Sequence, residues 1–255
     1  MNKILSIDNV SLTYHTKQGE IEALRNISFD VFDGEFIAII GPSGCGKTSI
    51  LSIIAGLLKP SKGNVLLNGS DILSPSESIG YMPQKDQLFA WRTVEQNAYL
   101  PLEIHKVKKD IEKRNNVELL LKKYGLWEFR KSYPKELSGG MRQRVALIRT
   151  LAFSPQILLL DEPFSALDYQ TRLSVCDDVY SIIKGEKKTA ILVTHDISEA
   201  IALADRVIVL TKRPSSILNV HEIDTNKQLT PLKRRESIGF SAWFEKLWRE
   251  LNNEK

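Results

Sequence analysis

The feature that most constrains this chain is a glycine-rich segment, Gly41-Pro42-Ser43-Gly44-Cys45-Gly46-Lys47-Thr48. It follows the apolar run Phe36–Ile40, which is typical of a buried strand, and precedes a helical pattern over Ser49–Leu58. The segment therefore matches the phosphate-loop motif G-x-x-x-x-G-K-[ST] in the strand-loop-helix context that the motif requires. A structural glycine turn is the alternative, and the flanking strand and helix argue against it.

The phosphate loop contains the groups that bind the phosphates of a nucleotide. Its glycines let backbone N–H groups turn inward, and the helix that follows presents its N-terminal N–H groups to the same oxygens. Lys47 is predicted to neutralise the β- and γ-phosphate oxygens, and the Thr48 hydroxyl to bind Mg²⁺. We therefore predict an ATP and Mg²⁺ site in which residues Gly41 to Ser49 contact the nucleotide.

The rest of the chain alternates short apolar strands with helical patterns, which predicts an α/β fold with a mostly parallel sheet. Helical patterns dominate between about residues 91 and 150, and we predict an inserted helical subdomain at about 89–155. The α/β domain is predicted to span residues 1–221. A loose polar connector and a C-terminal amphipathic helix over Phe240–Leu251 are predicted within residues 222–255.

Further motifs follow the phosphate loop. The segment Leu137–Arg144 closely resembles the LSGGQ signature of ATP-binding cassette (ABC) proteins, with Met141 where glutamine is common. The run Ile157–Pro163 is similar to a Walker B strand, and Phe164–Asp168 to a D-loop. Single residues match the adenine-stacking aromatic, the Q-loop and the switch histidine of that family, namely Tyr14, Gln84 and His195. From Ile4 to about Leu210 the chain resembles the ATP-binding subunit of an ABC transporter.

The resemblance implies a fold and a set of roles. The fold would be an ABC ATPase, with a P-loop core, an N-terminal antiparallel β subdomain and the inserted helical subdomain. Asp161 ends an apolar strand at the edge where open α/β sheets bind ligands, and with Thr48 and Gln84 it would hold Mg²⁺. Glu162 would accept a proton from the attacking water, and His195 would contact the γ-phosphate.

The family also implies that the chain works as a pair. Ser138, Gly139 and Gly140 begin a helix, and such a helix N-terminus can bind an anion. In the family these residues, with Asp168, complete the site of the opposite subunit, so we predict a nucleotide-sandwich homodimer.

The partners are predicted from charge, hydropathy and resemblance. The net charge is +4, but basic residues over Lys106–Lys131 are interleaved with acidic ones, so nucleic acid is not an expected partner. The longest apolar runs are far shorter than the ~20 residues that span a bilayer. We therefore predict a peripheral protein at the cytoplasmic face of the membrane, bound to a permease subunit and linked indirectly to a solute-binding protein.

The transported solute is predicted only from the similarity of short sequence segments to those of known importers. The segments Gly34–Phe36, Leu88–Val94 and Leu247–Leu251 are similar to those of the nitrate, sulfonate and taurine importers, which favours a small anion. The alternatives are an exporter cassette, an importer of another small molecule such as a thiamine precursor, and an ABC-type ATPase acting on DNA or ribosomes.

Three local questions stay open in the sequence. The C-terminal helix could pack on its own cassette, on a second cassette or on a membrane surface. The Cys45 thiol could be open to alkylation or buried. The aromatics Phe89, Trp91 and Tyr99 could form a groove for the permease or close the core of the helical subdomain.

Overall fold

The central element is a sheet whose strands end beside the phosphate loop. The computed structural model describes residues 2–17, 19–107, 109–226 and 228–253. The spatial order of the strands is β10 (Ile217–Glu222), β9 (Arg206–Leu210), β3 (Phe36–Ile40), β8 (Thr189–Val193), β7 (Ile157–Asp161) and β6 (Ile79–Met82). All neighbours pair in parallel except β10 with β9. The predicted α/β class with a mostly parallel sheet is confirmed.

Strands β3, β7 and β8 are buried along their whole length, because both faces of the sheet are covered. Successive side chains enter different cores: Ala38 and Ile40 point into one, and Ile37 and Ile39 into the other. This two-sided burial explains the unbroken apolar runs. Parallel pairing brings the carboxyl ends of β3, β8 and β7 to one edge, which is where α/β sheets bind ligands.

A second, antiparallel sheet lies at the N-terminal side. It contains β1 (Lys3–Thr16), β2 (Gly19–Phe32), β4 (Lys62–Leu67) and β5 (Ser70–Asp71) in the order β2-β1-β4-β5. One face contributes Leu5, Ile7, Leu24 and Ile27 to the core that also covers Ile37 and Ile39 of the main sheet. The antiparallel N-terminal sheet implied by the family resemblance is thereby confirmed.

Helices cover the main sheet and fill the middle of the chain. Helix α1 (Lys47–Ile54) follows the phosphate loop. In the described part of the segment for which a helical subdomain is predicted lie four α-helices: α2 (Val94–Ala98), α3 (Leu100–Ile104), α4 (Ile111–Lys123) and α5 (Gly139–Leu151). The later helices are α6 (Tyr169–Gly185), α7 (Ile197–Leu203), α8 (Pro231–Arg234) and α9 (Phe240–Asn253). Among the described residues, no helix combines the length and apolar character needed to cross a membrane.

Some predicted elements have other bounds. The helix expected over Ser49–Leu58 ends at Ile54, and Gly56 follows with φ of +70°. A Cβ at Gly56 would lie 2.5 Å from the Ser74 carbonyl carbon, so this turn requires glycine. The connector over 222–237 is less loose than predicted, because α8 buries Arg234, whose Nη1 donates to the Ala202 carbonyl at 3.0 Å.

Helix α9 packs on its own cassette, one of the three alternatives that the sequence left open. Leu247 is fully buried in the main core, and the Trp243 indole donates to Asp224. His221 Nε2 lies 2.9 Å from Glu250 Oε2, which joins the helix to β10. The apolar stripe therefore contributes to the stability of the cassette.

Replacing Leu247 by alanine is expected to destabilise the protein by about 2–5 kcal/mol, the usual result of opening a cavity in a core. Truncation after Gly239 should lower the melting temperature further. Trp248→Ala is the matched control, because that side chain is 53% exposed on the same helix. Thermal unfolding measures all three. Unchanged melting of the truncated protein together with weaker dimerisation would place α9 at an interface instead.

Candidate nucleotide-binding site

A cavity of about 590 Å³ opens at the carboxyl edge of the main sheet. It is lined by residues of the phosphate loop and α1, by two residues that follow β7 and β8, and by one that follows β9. These are Ser43, Gly44, Gly46, Lys47, Thr48, Ser49, Glu162, His195 and Arg213. Three strand ends thus converge on the phosphate loop, as the parallel sheet requires.

The phosphate loop is held open by its glycines. Gly44 and Gly46 have φ of +74° and +105°, a region that L-residues rarely occupy. A Cβ at Gly46 would lie 2.7 Å from Leu24 Cδ2, so a side chain there would collide with β2. The loop leads directly into α1, whose first residue is Lys47.

Lys47 is buried and directed at the loop itself. Its Nζ donates to the carbonyl oxygens of Gly41 at 2.9 Å and Pro42 at 3.0 Å. Carbonyl oxygens satisfy the ammonium only partly, because burying a charged group is costly without a charged partner. The anionic oxygens of a phosphate chain fit this donor.

The Cys45 thiol is buried, which is the second of the alternatives left open by the sequence. A Cβ at Gly41 would lie 2.9 Å from its sulfur, so the thiol fills the inside of the loop. Cys45 can therefore contribute backbone groups to a nucleotide, while its side chain packs inward. This geometry contradicts the other alternative, a Cys45 thiol open to alkylation.

Hard oxygen ligands gather beside Lys47. Thr48 Oγ1 donates to Asp161 Oδ1 at 3.1 Å, and Asp161 is the last residue of β7. The pKa of Asp161 is raised, because the effect of burial outweighs the hydrogen bonds from Tyr81 and Thr48 and the charge of Lys47, which lower it. A hydroxyl beside a buried carboxylate is a donor set that suits Mg²⁺.

Tyr81 is a member of this cluster that sequence reasoning missed. Its hydroxyl donates to Asp161 Oδ2 at 3.1 Å, and burial together with the Asp161 charge raises the pKa of Tyr81. The two residues are far apart in sequence and meet because β6 pairs with β7. The only indication of this contact in the sequence was the position of the tyrosine three residues before Gln84.

Three polar side chains meet at Glu162, which lines the cavity together with His195. Gln84 Nε2 donates to Glu162 Oε2 at 3.1 Å, and His195 Nδ1 lies 3.1 Å from the same oxygen. Glu162 has φ of +44°, and its N–H donates to the Val193 carbonyl at 2.9 Å. A non-glycine residue in this region is strained, and such strain is concentrated at functional sites.

Tyr14 lies next to the cavity rather than in its lining. Its hydroxyl shares a hydrogen bond of 2.9 Å with Ser49 Oγ, and 39% of the residue is exposed. An exposed ring beside the phosphate loop is available for stacking on a base. The contact with Ser49 places the ring at the outer side of α1.

The remaining predicted site residues form a separate cluster. Ser138 caps α5 by accepting from the Met141 N–H at 3.2 Å, and Asp168 caps α6 by accepting from the Thr171 N–H at 3.0 Å. The hydrogen bond from Thr171 lowers the pKa of Asp168. A Cβ at Gly139 would lie 2.8 Å from Leu167 Cδ2, so the two helix starts touch. Within the described part of the chain, this cluster does not line the cavity.

Arg213 is a further residue of the cavity that the motifs did not predict. Its Nη2 donates to the Gly44 carbonyl at 2.8 Å. The loop that carries it is tied to β2, since the Ser215 N–H donates to the Ala23 carbonyl at 3.0 Å. The two basic residues that follow β9 could have indicated this contact. Strand β9 pairs in parallel with β3, the strand that precedes the phosphate loop.

Comparisons with known proteins agree with this geometry. A protein-family model described as ABC transporter matches residues 24–165. The chain is similar to YtlC of Bacillus subtilis, an uncharacterized ABC transporter ATP-binding protein, with 46% identity over 98% of this chain and 96% of that protein. An aliphatic sulfonates import ATP-binding protein, SsuB of Bacillus cereus, is 42% identical over 97% of this chain and 95% of its own length.

A solved structure extends the comparison to three dimensions. It is the dimeric post-hydrolysis state of the ATP-binding cassette MJ0796, bound to ADP and Pi, and it is 30% identical to this chain. The two structures superpose with a TM-score of 0.71 over 88% of this chain and all of that one. By its family model, its relatives and its fold, this chain belongs to the ABC transporter family and is an ATP-binding subunit.

Proposed function

We propose that this chain hydrolyses ATP to ADP and phosphate and thereby drives transport of a small solute through a permease subunit. The observation that carries the proposal is the arrangement across the cavity. Lys47, Thr48, Glu162 and His195 line the cavity, while Asp161 contacts Thr48 and Gln84 contacts Glu162. The first pair, with Asp161, suits the phosphates and Mg²⁺, and the second pair, with Gln84, suits an attacking water.

Different residues of the site have separate roles in ATP hydrolysis. Lys47 and the backbone N–H groups of the phosphate loop bind the phosphate chain, and Tyr14 stacks on the adenine. Mg²⁺, when bound by Thr48 and Asp161 with Gln84 nearby, neutralises phosphate charge. Glu162 Oε2 accepts the proton of the attacking water, and His195 orients that water and contacts the γ-phosphate.

The second cluster completes the site of another copy. Ser138 and the first residues of α5 form a helix N-terminus that can bind an anion, yet among the described residues they do not line the cavity of their own chain. The solved relative is a dimer with ADP and Pi, which supports a sandwich of two copies. In a two-fold pair, Ser138, Gly139, Gly140 and Asp168 of each copy face the nucleotide of the other.

The permease contact is proposed at the connector between the Q-loop and α2. Trp91 is 72% exposed, and its ring lies 4.8 Å from that of Phe89. Tyr99 is buried and its hydroxyl donates to Glu118 at 3.2 Å, so it belongs to the core of the helical segment. Buried Asn97 fixes the connector by donating to the Phe89 carbonyl at 3.1 Å. The connector is thus a rigid platform that exposes a large aromatic side chain.

The proposed cargo is a small anion taken up by import. The support is the name of the Bacillus cereus relative, an aliphatic sulfonates import protein, together with the similar wording of the two chains. The chain would lie at the cytoplasmic face of the membrane, with a solute-binding protein acting indirectly. An exporter cassette, or an importer for another solute such as a thiamine precursor, is the alternative.

Trp91→Ala is expected to leave the isolated subunit folded and nearly normal in ATP hydrolysis, because the side chain is mostly exposed. In the assembled transporter it should weaken subunit association by about 2 kcal/mol, the size of a central aromatic anchor. Melting temperature, recovery of the subunit with purified permease, and sulfonate uptake measure these effects. Trp248→Ala, which removes an exposed tryptophan from α9, is the control. Unfolding of the Trp91 variant would place this residue in the core and the groove elsewhere.

A further inference from the structure

One arginine joins the loop that precedes α6 to the loop that precedes α7. Arg172, in the first turn of α6, donates from Nη2 to the Leu167 carbonyl at 2.9 Å, next to Asp168. Its Nη1 lies 3.5 Å from Asp196 Oδ2, next to His195. Its buried Nε has no hydrogen-bond partner among the described residues and lies 4.0 Å from Glu199 Oε1.

The loop around His195 is anchored by the same group of side chains. Thr194 is buried, and its hydroxyl donates to Glu199 Oε2 at 2.6 Å and accepts from the Asp196 N–H at 3.0 Å. Asp196 Oδ1 accepts from the N–H groups of Ser198 and Glu199 and so caps α7. The backbone is therefore fixed on both sides of His195, and the fixing carboxylates face Arg172.

Burial makes the Glu199 carboxylate of this network dependent on a nearby cation. It raises the pKa of Glu199 to about 7, whereas the nearby charges of Arg172 and Arg235 lower that pKa. A buried carboxylate needs partners, and Thr194 supplies only one hydrogen bond. Because the charge of Arg235 also lowers the pKa of Glu199, the fold has a second cation at this place.

We infer that Arg172 is a positioning residue that couples the loop of Asp168 to His195. The inference rests on the proposed function, in which Asp168 faces the second copy and His195 faces the nucleotide. Because one rigid guanidinium contacts both loops, a displacement of Leu167 on dimer closure shifts the anchor of His195. The arrival of the second copy would thus be transmitted to the residue that orients the attacking water.

The test compares Arg172→Met, which keeps length and loses charge, with Arg172→Lys. The control is Lys184→Met, which removes a 3.5 Å ion pair with Asp205 near the other end of the same helix. We expect Arg172→Met to lower kcat roughly tenfold, since small misplacements of catalytic groups are costly, while the dissociation constant for ATP changes less than about threefold. Arg172→Lys should restore part of the rate, and the control should stay close to wild type.

A double variant distinguishes positioning from general stability. If Arg172 acts through His195, adding Arg172→Met to His195→Ala should slow hydrolysis no further than His195→Ala alone. Additive losses, or parallel losses of kcat, ATP affinity and melting temperature in both Arg172 variants, would overturn the inference. So would an unchanged kcat in Arg172→Met. Absence of ATP hydrolysis by the wild-type protein would instead contradict the proposed function.

Discussion

Glu162→Gln is expected to bind ATP as well as the wild-type protein and to hydrolyse it at least about 100-fold more slowly, because a general base contributes that much or more. The carboxylate oxygen that contacts both Gln84 and His195 is the predicted proton acceptor. Glutamine keeps the shape of the side chain, and the strained backbone at this residue need not change. The variant should therefore accumulate as an ATP-bound closed dimer.

Three measurements check this expectation: steady-state phosphate release, equilibrium binding of ATP, and size-exclusion chromatography with and without ATP. Glu236→Gln is the matched control, because Glu236 is an exposed carboxylate outside the cavity. Hydrolysis by Glu162→Gln within a few-fold of the wild-type rate would show that another group accepts the proton.

Mixing two inactive subunits is expected to restore activity if each site is built from two copies. Lys47→Ala removes the buried ammonium from the phosphate loop, and Gly139→Asp puts a carboxylate at the start of α5, where even a Cβ would collide with Leu167. Each homodimer carries its lesion in both sites. In a mixed dimer both lesions fall in one site, so an equimolar mixture should reach at most about one quarter of wild-type activity by random pairing.

The control mixture combines Lys47→Ala with Glu162→Gln. Both lesions lie on the phosphate-loop side, so each site of that mixed dimer contains one of them and activity should not return. Phosphate release by the two mixtures, with each variant alone as reference, makes the comparison. No recovery in the first mixture, combined with hydrolysis by a monomer, would contradict the shared site.

The pattern of the sequence predicted the parts of this protein whose causes are local. The apolar run before Gly41 predicted a buried strand, because a strand covered on both faces requires apolar side chains at successive positions. Glycine and lysine spacing predicted the phosphate loop, whose left-handed residues the structure places at Gly44 and Gly46. The antiparallel sheet and the family were predicted correctly from motif resemblance, while the roles of Glu162 and His195 stay predictions for the experiments above.

Only the tertiary structure decided which distant segments meet. The contacts of Tyr81 with Asp161, Arg213 with Gly44, and Arg172 with Leu167 and Asp196 all depend on strand order or helix packing. The same is true of side chains whose type permits either burial or exposure. Burial of Tyr99 and Cys45 and exposure of Trp91 follow from the surfaces that pack against them. Periodicity records which face of an element is apolar, whereas the partner of that face is set by long-range packing and is not encoded in local spacing.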